Sequence, residues 1–255
     1  TVLAIAEKGN LFNAPETYMS KIATGKIEKK LIDLDYPLKK NIKNLSEFKN
    51  KEISSLTVCI LDRPRHKKVI DELKDLNVNV LGMEHFPIIR GIEETGSTLL
   101  ANSLIKSRTV SQITGLATIA DDTGLEVDVL DGAPGVYSAR YAGSNSTYEA
   151  NVEKLLFELK DVPEALRTAR FRTVISYVDL KKEFVNEGVI EGMITFKPSG
   201  NKGFGYDPIF KPLGFEKTFS EISQDKKNKI SHRALALKKI KKTLKEYLNN
   251  EVSIV

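Results

Sequence analysis

Short apolar runs alternate with segments in which apolar residues recur every three or four positions, so strands and helices succeed one another along the chain. Thr1–Ala6, Leu31–Leu34, Leu56–Leu61 and Val78–Leu81 have the length and composition of strands. Of these, Leu56-Thr57-Val58-Cys59-Ile60-Leu61 is unbroken enough for burial on both faces of a parallel sheet. Helical spacing predicts helices over 14–23, with Pro15 in the first turn, over Leu38–Phe48 and over Lys67–Leu76. Ser97 is placed to cap a longer helix that carries Leu99, Leu100, Leu104, Ile105, Val110 and Ile113 and closes at Gly115.

Beyond it, the apolar run Leu116–Ala120 ends in Asp121-Asp122-Thr123-Gly124, which on its own reads as a turn. Tyr148–Leu159 is an amphipathic helix, and Arg170–Leu180 alternates as a half-exposed antiparallel strand does. Phe184–Phe196 reads as a pair of strands broken near Gly188 and Gly192. Lys202–Pro208 is a glycine-flanked aromatic loop, and Phe219–Ser223 is strand or turn. Lys227–Arg233 opens a last helix with Leu235, Leu237, Ile240, Leu244 and Leu248 on one face and lysines on the other.

Composition narrows this picture. With 255 residues, 41% of them apolar, the chain can bury one large core or two modest ones. No run approaches the ~20 apolar residues of a membrane span, and no basic-then-apolar leader opens the chain. It begins at Thr1 inside an apolar run, as a piece cut from a longer chain would. The single cysteine, Cys59, rules out an internal disulfide and fits a cytoplasmic setting. The net charge of +5 rests on 39 basic against 34 acidic residues, with lysines gathered at 226–245 and 39–51 on the outer faces of helices. That is a solvated surface. No basic patch interleaved with aromatics argues for nucleic acid, and nothing argues for a membrane.

Several residue types exceed what packing asks for: Glu93, Glu94, Lys106, Asp121, Asp122, Thr123, Phe204, Tyr206, Asp207, Lys227, His232 and Arg233. Carboxylates, lysines and a glycine-rich loop together suit a polyphosphate chelated by magnesium, which takes oxygen ligands from one or two carboxylates and from phosphates. A water activated by the metal or by a carboxylate base can attack phosphorus while lysines offset the developing charge.

The run Ala120-Asp-Asp-Thr-Gly124, followed by Gly132-Ala-Pro-Gly135 and Ser138-Ala-Arg-Tyr141, resembles the signature of the inosine/xanthosine triphosphate pyrophosphatases. The resemblance runs from about residue 67 to the end. It implies an α/β fold, a mixed twisted sheet with flanking helices whose two lobes enclose a nucleotide cleft, and a homodimer. The implied reaction splits a non-canonical purine nucleoside triphosphate (ITP, dITP or XTP) into the monophosphate and pyrophosphate with Mg2+. On this resemblance Glu94 and Asp122 hold the metal, and Asp122 accepts the proton of the attacking water. Lys106, Thr123, Phe204, Gly205, Tyr206, Asp207, Lys227, His232 and Arg233 bind the substrate.

Two features depart from that pattern. Residues 1–66 resemble an internal fragment of the class II fructose-1,6-bisphosphatases through Asn13–Met19 and Leu61-Asp-Arg-Pro-Arg-His66, with Tyr18, Arg63 and Arg65 at sugar-phosphate positions. The acidic metal segments of such a phosphatase are not visible beside them, so this part reads as an appendage without its chemistry. The threonine-x-asparagine-x-x-lysine loop that opens the pyrophosphatases is replaced by Leu56–Leu61 and the basic loop Asp62–Lys68. The order strand, loop, helix is kept, with 56–61 standing in for the first strand, and the changed loop predicts reduced affinity or turnover. A sugar bisphosphatase, a two-activity fusion and an inactive nucleotide-binding hybrid stand as alternatives.

Overall fold

A sheet of mixed sense organises the computed structural model, which describes residues 55–59, 69, 72–76, 78–83, 86, 89 and 91–252. The expectations made for 1–48, with Tyr18, and for the 62–68 loop, with Arg63 and Arg65, lie outside these residues. Among the described residues the strands are β1 (Ser55–Cys59), β2 (Asn79–Gly82), β3 (Ala117–Val127), β4 (Thr168–Val178), β5 (Glu183–Ile194) and β6 (Phe210–Pro212). They lie in the order β2-β1-β3-β4-β5-β6. β1 runs parallel to β2 and to β3, whereas β3 to β6 pair antiparallel.

Four helices cover the sheet in the described part: α1 (Leu99–Thr114), α2 (Tyr148–Glu158), α3 (Gln224–Ile230) and α4 (His232–Val252). Successive β3 residues point to opposite faces, so Ala120 meets Val110 of α1 while Ile119 packs with Ala236, Leu237, Ile240 and Leu244 of α4. A second core gathers Leu125, Val127, Phe171, Phe210 and Phe219 with Val152, Leu155 and Leu159 on or next to α2. Each such fully buried side chain contributes about 1.5–3 kcal/mol.

Five local expectations change, each for a visible reason. Thr98, not Ser97, caps α1, accepting the Ala101 N–H at 3.1 Å. The buried stripe of α1 is largely polar (Asn102, Ser103, Lys106, Ser107 and Ser111 beside Leu99, Val110 and Ile113), and Leu100 is exposed. Asp121-Asp122-Thr123-Gly124 is no turn: β3 runs straight through it, paired with Thr173–Ile175 of β4 and beyond. β5 is unbroken, and its glycines mark close approach, since a Cβ on Gly188 would run into the His232 carbonyl oxygen and one on Gly192 would lie 2.5 Å from the Lys211 carbonyl oxygen. The last helix is two, because Ser231 is extended (φ −65°, ψ 151°), ending α3 while its hydroxyl lies 3.4 Å from the Ala234 N–H in the first turn of α4.

Candidate active site

β1 leaves β3 at the pairing of Cys59 with Ala120, so the next β3 residues, Asp121 and Asp122, lie just past the carboxyl end of a parallel pair. Open α/β sheets bind ligands there. Because the two aspartates point to opposite faces, one strand serves two corners of a site at once.

On the α1 face, the Lys106 ammonium donates to Asp122 Oδ1 at 2.7 Å and to Glu94 Oε1 at 3.3 Å. The helix is pulled close to the sheet by small hydroxyls. Ser103 Oγ donates to the Ala120 carbonyl at 2.9 Å, and Ser103 and Ser107 each lie 2.8 Å from Ser176 Oγ. The acidic loop is tied to the same helix by the Gly96 N–H, which donates to the buried Asn102 Oδ1 at 2.8 Å. Glu94, Lys106 and Asp122 therefore meet through loop, helix and strand, while Glu93 is exposed.

Burial pushes the Asp122 carboxyl up to about 6 against the pull of Lys106, with the Glu94 and Asp121 charges adding to the rise. Burial alone would lower the Lys106 ammonium, but Asp122, Glu94 and Asp121 outweigh it and hold it above its ordinary value. The corner has more negative charge than one lysine neutralises, and it keeps one carboxylate close to the pH at which a base works best.

On the α4 face, Arg233 donates to Asp121 Oδ2 from Nε at 3.0 Å and from Nη2 at 2.9 Å, and to Thr123 Oγ1 at 3.1 Å. Thr123 Oγ1 lies 2.7 Å from the hydroxyl of Thr173, its register partner on β4. Asp121 thus orients the arginine. His232 is buried, its ring stacked on Phe171 with centroids 4.7 Å apart. The close fit at Gly188 seats the helix start that carries both residues.

The loop before β6 forms the aromatic part of the site. Gly205 takes φ +60°, a conformation that suits glycine, and this sends Phe204 outward, 42% exposed, and Tyr206 inward, 4% exposed. The Tyr206 hydroxyl donates to the Ser138 carbonyl at 3.0 Å. Asp207, buried, accepts the Phe204 N–H at 2.8 Å and pairs with the Lys227 ammonium. That ammonium lies 5.1 Å from the centroids of both Phe204 and Phe219.

Every residue singled out for the site except Glu93 thus falls into one of these three groups. Tyr206 and His232 do so as buried rings rather than open surfaces. Thr173 had no sequence signal beyond being an inward-facing hydroxyl in an alternating strand. Gly188 was legible only as an interruption.

No cluster of three or more His, Cys, Asp or Glu residues suited to a metal occurs among the described residues. The donor set that does occur, Glu94 and Asp122 converging on one ammonium, fits a hard cation that takes its remaining oxygens from phosphate and water.

A family model described as the Ham1 family matches residues 41–243, beginning ahead of the boundary expected near residue 67. The dITP/XTP pyrophosphatase of Thermoanaerobacter pseudethanolicus is 47% identical over 188 residues, 73% of this chain and 95% of its own length. That of Christiangramia forsetii is 45% identical over 201 residues, 79% of this chain and 94% of its own. Among solved structures, a HAM1 protein from Coxiella burnetii aligns with a TM-score of 0.72 at 36% identity, covering 75% of this chain and 98% of that one.

Proposed function

The chain belongs to the Ham1 family, and on that footing we propose that it hydrolyses non-canonical purine nucleoside triphosphates (ITP, dITP and XTP) to the monophosphate and pyrophosphate. One observation carries the reading. Two faces open from the same point of β3, an acidic one where Asp122 meets the buried Lys106 and one where Asp121 holds Arg233, and the helix start that carries Arg233 follows directly on the short helix whose Lys227 pairs with Asp207 beside Phe204. The first suits phosphates and the second a nucleobase.

In this reading Glu94 and Asp122 hold Mg2+, which when bound offsets phosphate charge and eases deprotonation of a water. Water oxygen attacks the α-phosphorus, the bond to the bridging oxygen breaks, pyrophosphate leaves, and Asp122 takes the proton of the attacking water. Lys106 offsets charge on the phosphate oxygens. The base lies against Phe204, and Lys227 donates towards the carbonyl on C6, with His232 and Arg233 at the adjoining helix start. An amino group in that place would leave a buried donor unpaired, at a cost of about 1–3 kcal/mol.

The pyrophosphatase unit in this reading is 67–255 with β1 supplying its first strand, and the rest of residues 1–66 is an appendage. The protein works as a cytoplasmic homodimer. No described helix is long and apolar enough to cross a membrane.

The test is pyrophosphate release with magnesium from ITP, dITP and XTP set beside ATP and GTP. Preferential turnover of the first three is expected, with no phosphate released from fructose 1,6-bisphosphate. Release of single phosphates, or equal turnover of ATP, would sink the reading.

A further inference from the structure

Phe204 has a neighbour that the site as described does not use. Tyr148, the first residue of α2, is 50% exposed, and its ring centroid lies 6.2 Å from that of Phe204 with the planes inclined at 51°. Exposed aromatic rings are costly to keep in water, and these two face solvent together at the mouth of the aromatic corner.

The pair is held in place from behind. Asn151, buried one turn along α2, accepts the Ala142 N–H at 2.7 Å and donates to the Ala139 carbonyl at 3.2 Å. Tyr206, two residues from Phe204, donates to the carbonyl of neighbouring Ser138. Thr147 caps the helix by accepting the Ala150 N–H at 3.1 Å. Both rings are therefore anchored to the one segment 138–142, and the notch between them is fixed before a ligand arrives.

We propose that Tyr148 is a second base-stacking residue, forming with Phe204 a two-ring notch that grips the nucleobase by ring area. This rests on the base lying against Phe204, as proposed above. Stacking reads π surface and is indifferent to exocyclic groups, so Tyr148 raises affinity for any purine while Lys227 chooses among purines. The inclined rings suit a bicyclic base, which can cover one ring and meet the edge of the other, better than a pyrimidine.

The experiment compares Tyr148→Ala, Tyr148→Phe and Phe204→Ala with the parent in KM and kcat for ITP, in inhibition by IMP and in inhibition by pyrophosphate. Tyr148→Ala is expected to raise KM and the IMP inhibition constant on the order of 10-fold, with kcat and pyrophosphate inhibition little changed. Tyr148→Phe keeps the ring and restores the affinity lost in the alanine variant. Unchanged IMP inhibition in Tyr148→Ala would overturn the proposal, as would an equal weakening by pyrophosphate, which has no base. If Phe204→Ala weakens IMP and Tyr148→Ala does not, Tyr148 alone is misassigned. If neither weakens it, the base is not at Phe204.

Discussion

Among the described residues two buried lysines meet aspartates, and their surroundings set them to different work. Lys106 is shared between Asp122 and Glu94, with the Asp121 charge close by. Lys227 pairs with Asp207 between the rings of Phe204 and Phe219. The first lysine sits in surplus negative charge. The second sits in an ion pair between aromatic walls. Excess charge suits a place where charge must move, and a neutralised ion pair suits a place that must hold its shape.

The widest separation of the two corners comes from removing the aspartate of one and the lysine of the other. Asp122→Asn is expected to lower kcat on the order of 10³-fold while IMP binding persists, since it deletes both a metal ligand and a proton acceptor. Lys227→Met should act on KM for ITP and on stability. It leaves Asp207, 3% exposed, without its cation, and breaking a buried pair in this way costs about 3–5 kcal/mol. Steady-state kinetics with thermal unfolding would erase the contrast if Lys227→Met changed kcat alone.

A smaller effect is expected where packing transmits to chemistry. Gly188→Ala sets a Cβ against the His232 carbonyl oxygen, and backbone cannot swing aside as a flexible side chain can. The start of α4 must shift, loosening the Arg233 contacts to Asp121 and Thr123, with KM raised about 10-fold and stability lowered by about 1–3 kcal/mol. An unaltered KM would show that the helix start does not position the substrate.

A pH dependence is expected at the first corner. Asp122, raised to about 6, is ionised above that pH and protonated below it. Activity should fall towards roughly tenfold per pH unit below 6 as the acceptor fills, and adding magnesium near pH 6 should release protons. The stability contribution has the opposite slope. Between about 4 and 6 the folded chain binds the proton more tightly than the unfolded one, so this group costs stability as pH rises through that window. Asp122→Asn should abolish the proton release, and Lys227→Met should leave it in place.

What the sequence shows of the site differs between the corners for a physical reason. The Phe204–Asp207 stretch is local in the chain, so glycines, ring and carboxylate can be read together. The Glu94–Lys106–Asp122 corner is assembled by a loop, a helix and a strand, and the residues that hold it (Ser103, Ser107, Ser176 and Asn102) are small polar side chains with no periodic mark. For the same reason the inner face of α1 departs from the apolar stripe its spacing predicts: Ser103 on the Ala120 carbonyl and the hydroxyls of Ser103 and Ser107 on Ser176 replace leucines where a backbone must come close. Strand β3 departs from expectation at the motif itself, because adjacent aspartates ordinarily favour turns. Here lysine on one face and arginine on the other make an extended Asp-Asp tenable.

The subtlest test lies at Thr123, beside Asp122 on β3. Thr123 accepts from Arg233 and shares a 2.7 Å contact with the buried Thr173 hydroxyl, so its oxygen rather than its methyl carries the link. Thr123→Val should cost about 1–3 kcal/mol of stability by stranding Thr173, and it should raise KM by a few-fold as Arg233 loses one of its acceptors. Thr123→Ser should restore most of both, limited to the loss of one methyl group, about 0.8 kcal/mol. Should serine fail as badly as valine, the methyl packing would be what joins the two faces, and Arg233 would owe its place to Asp121 alone.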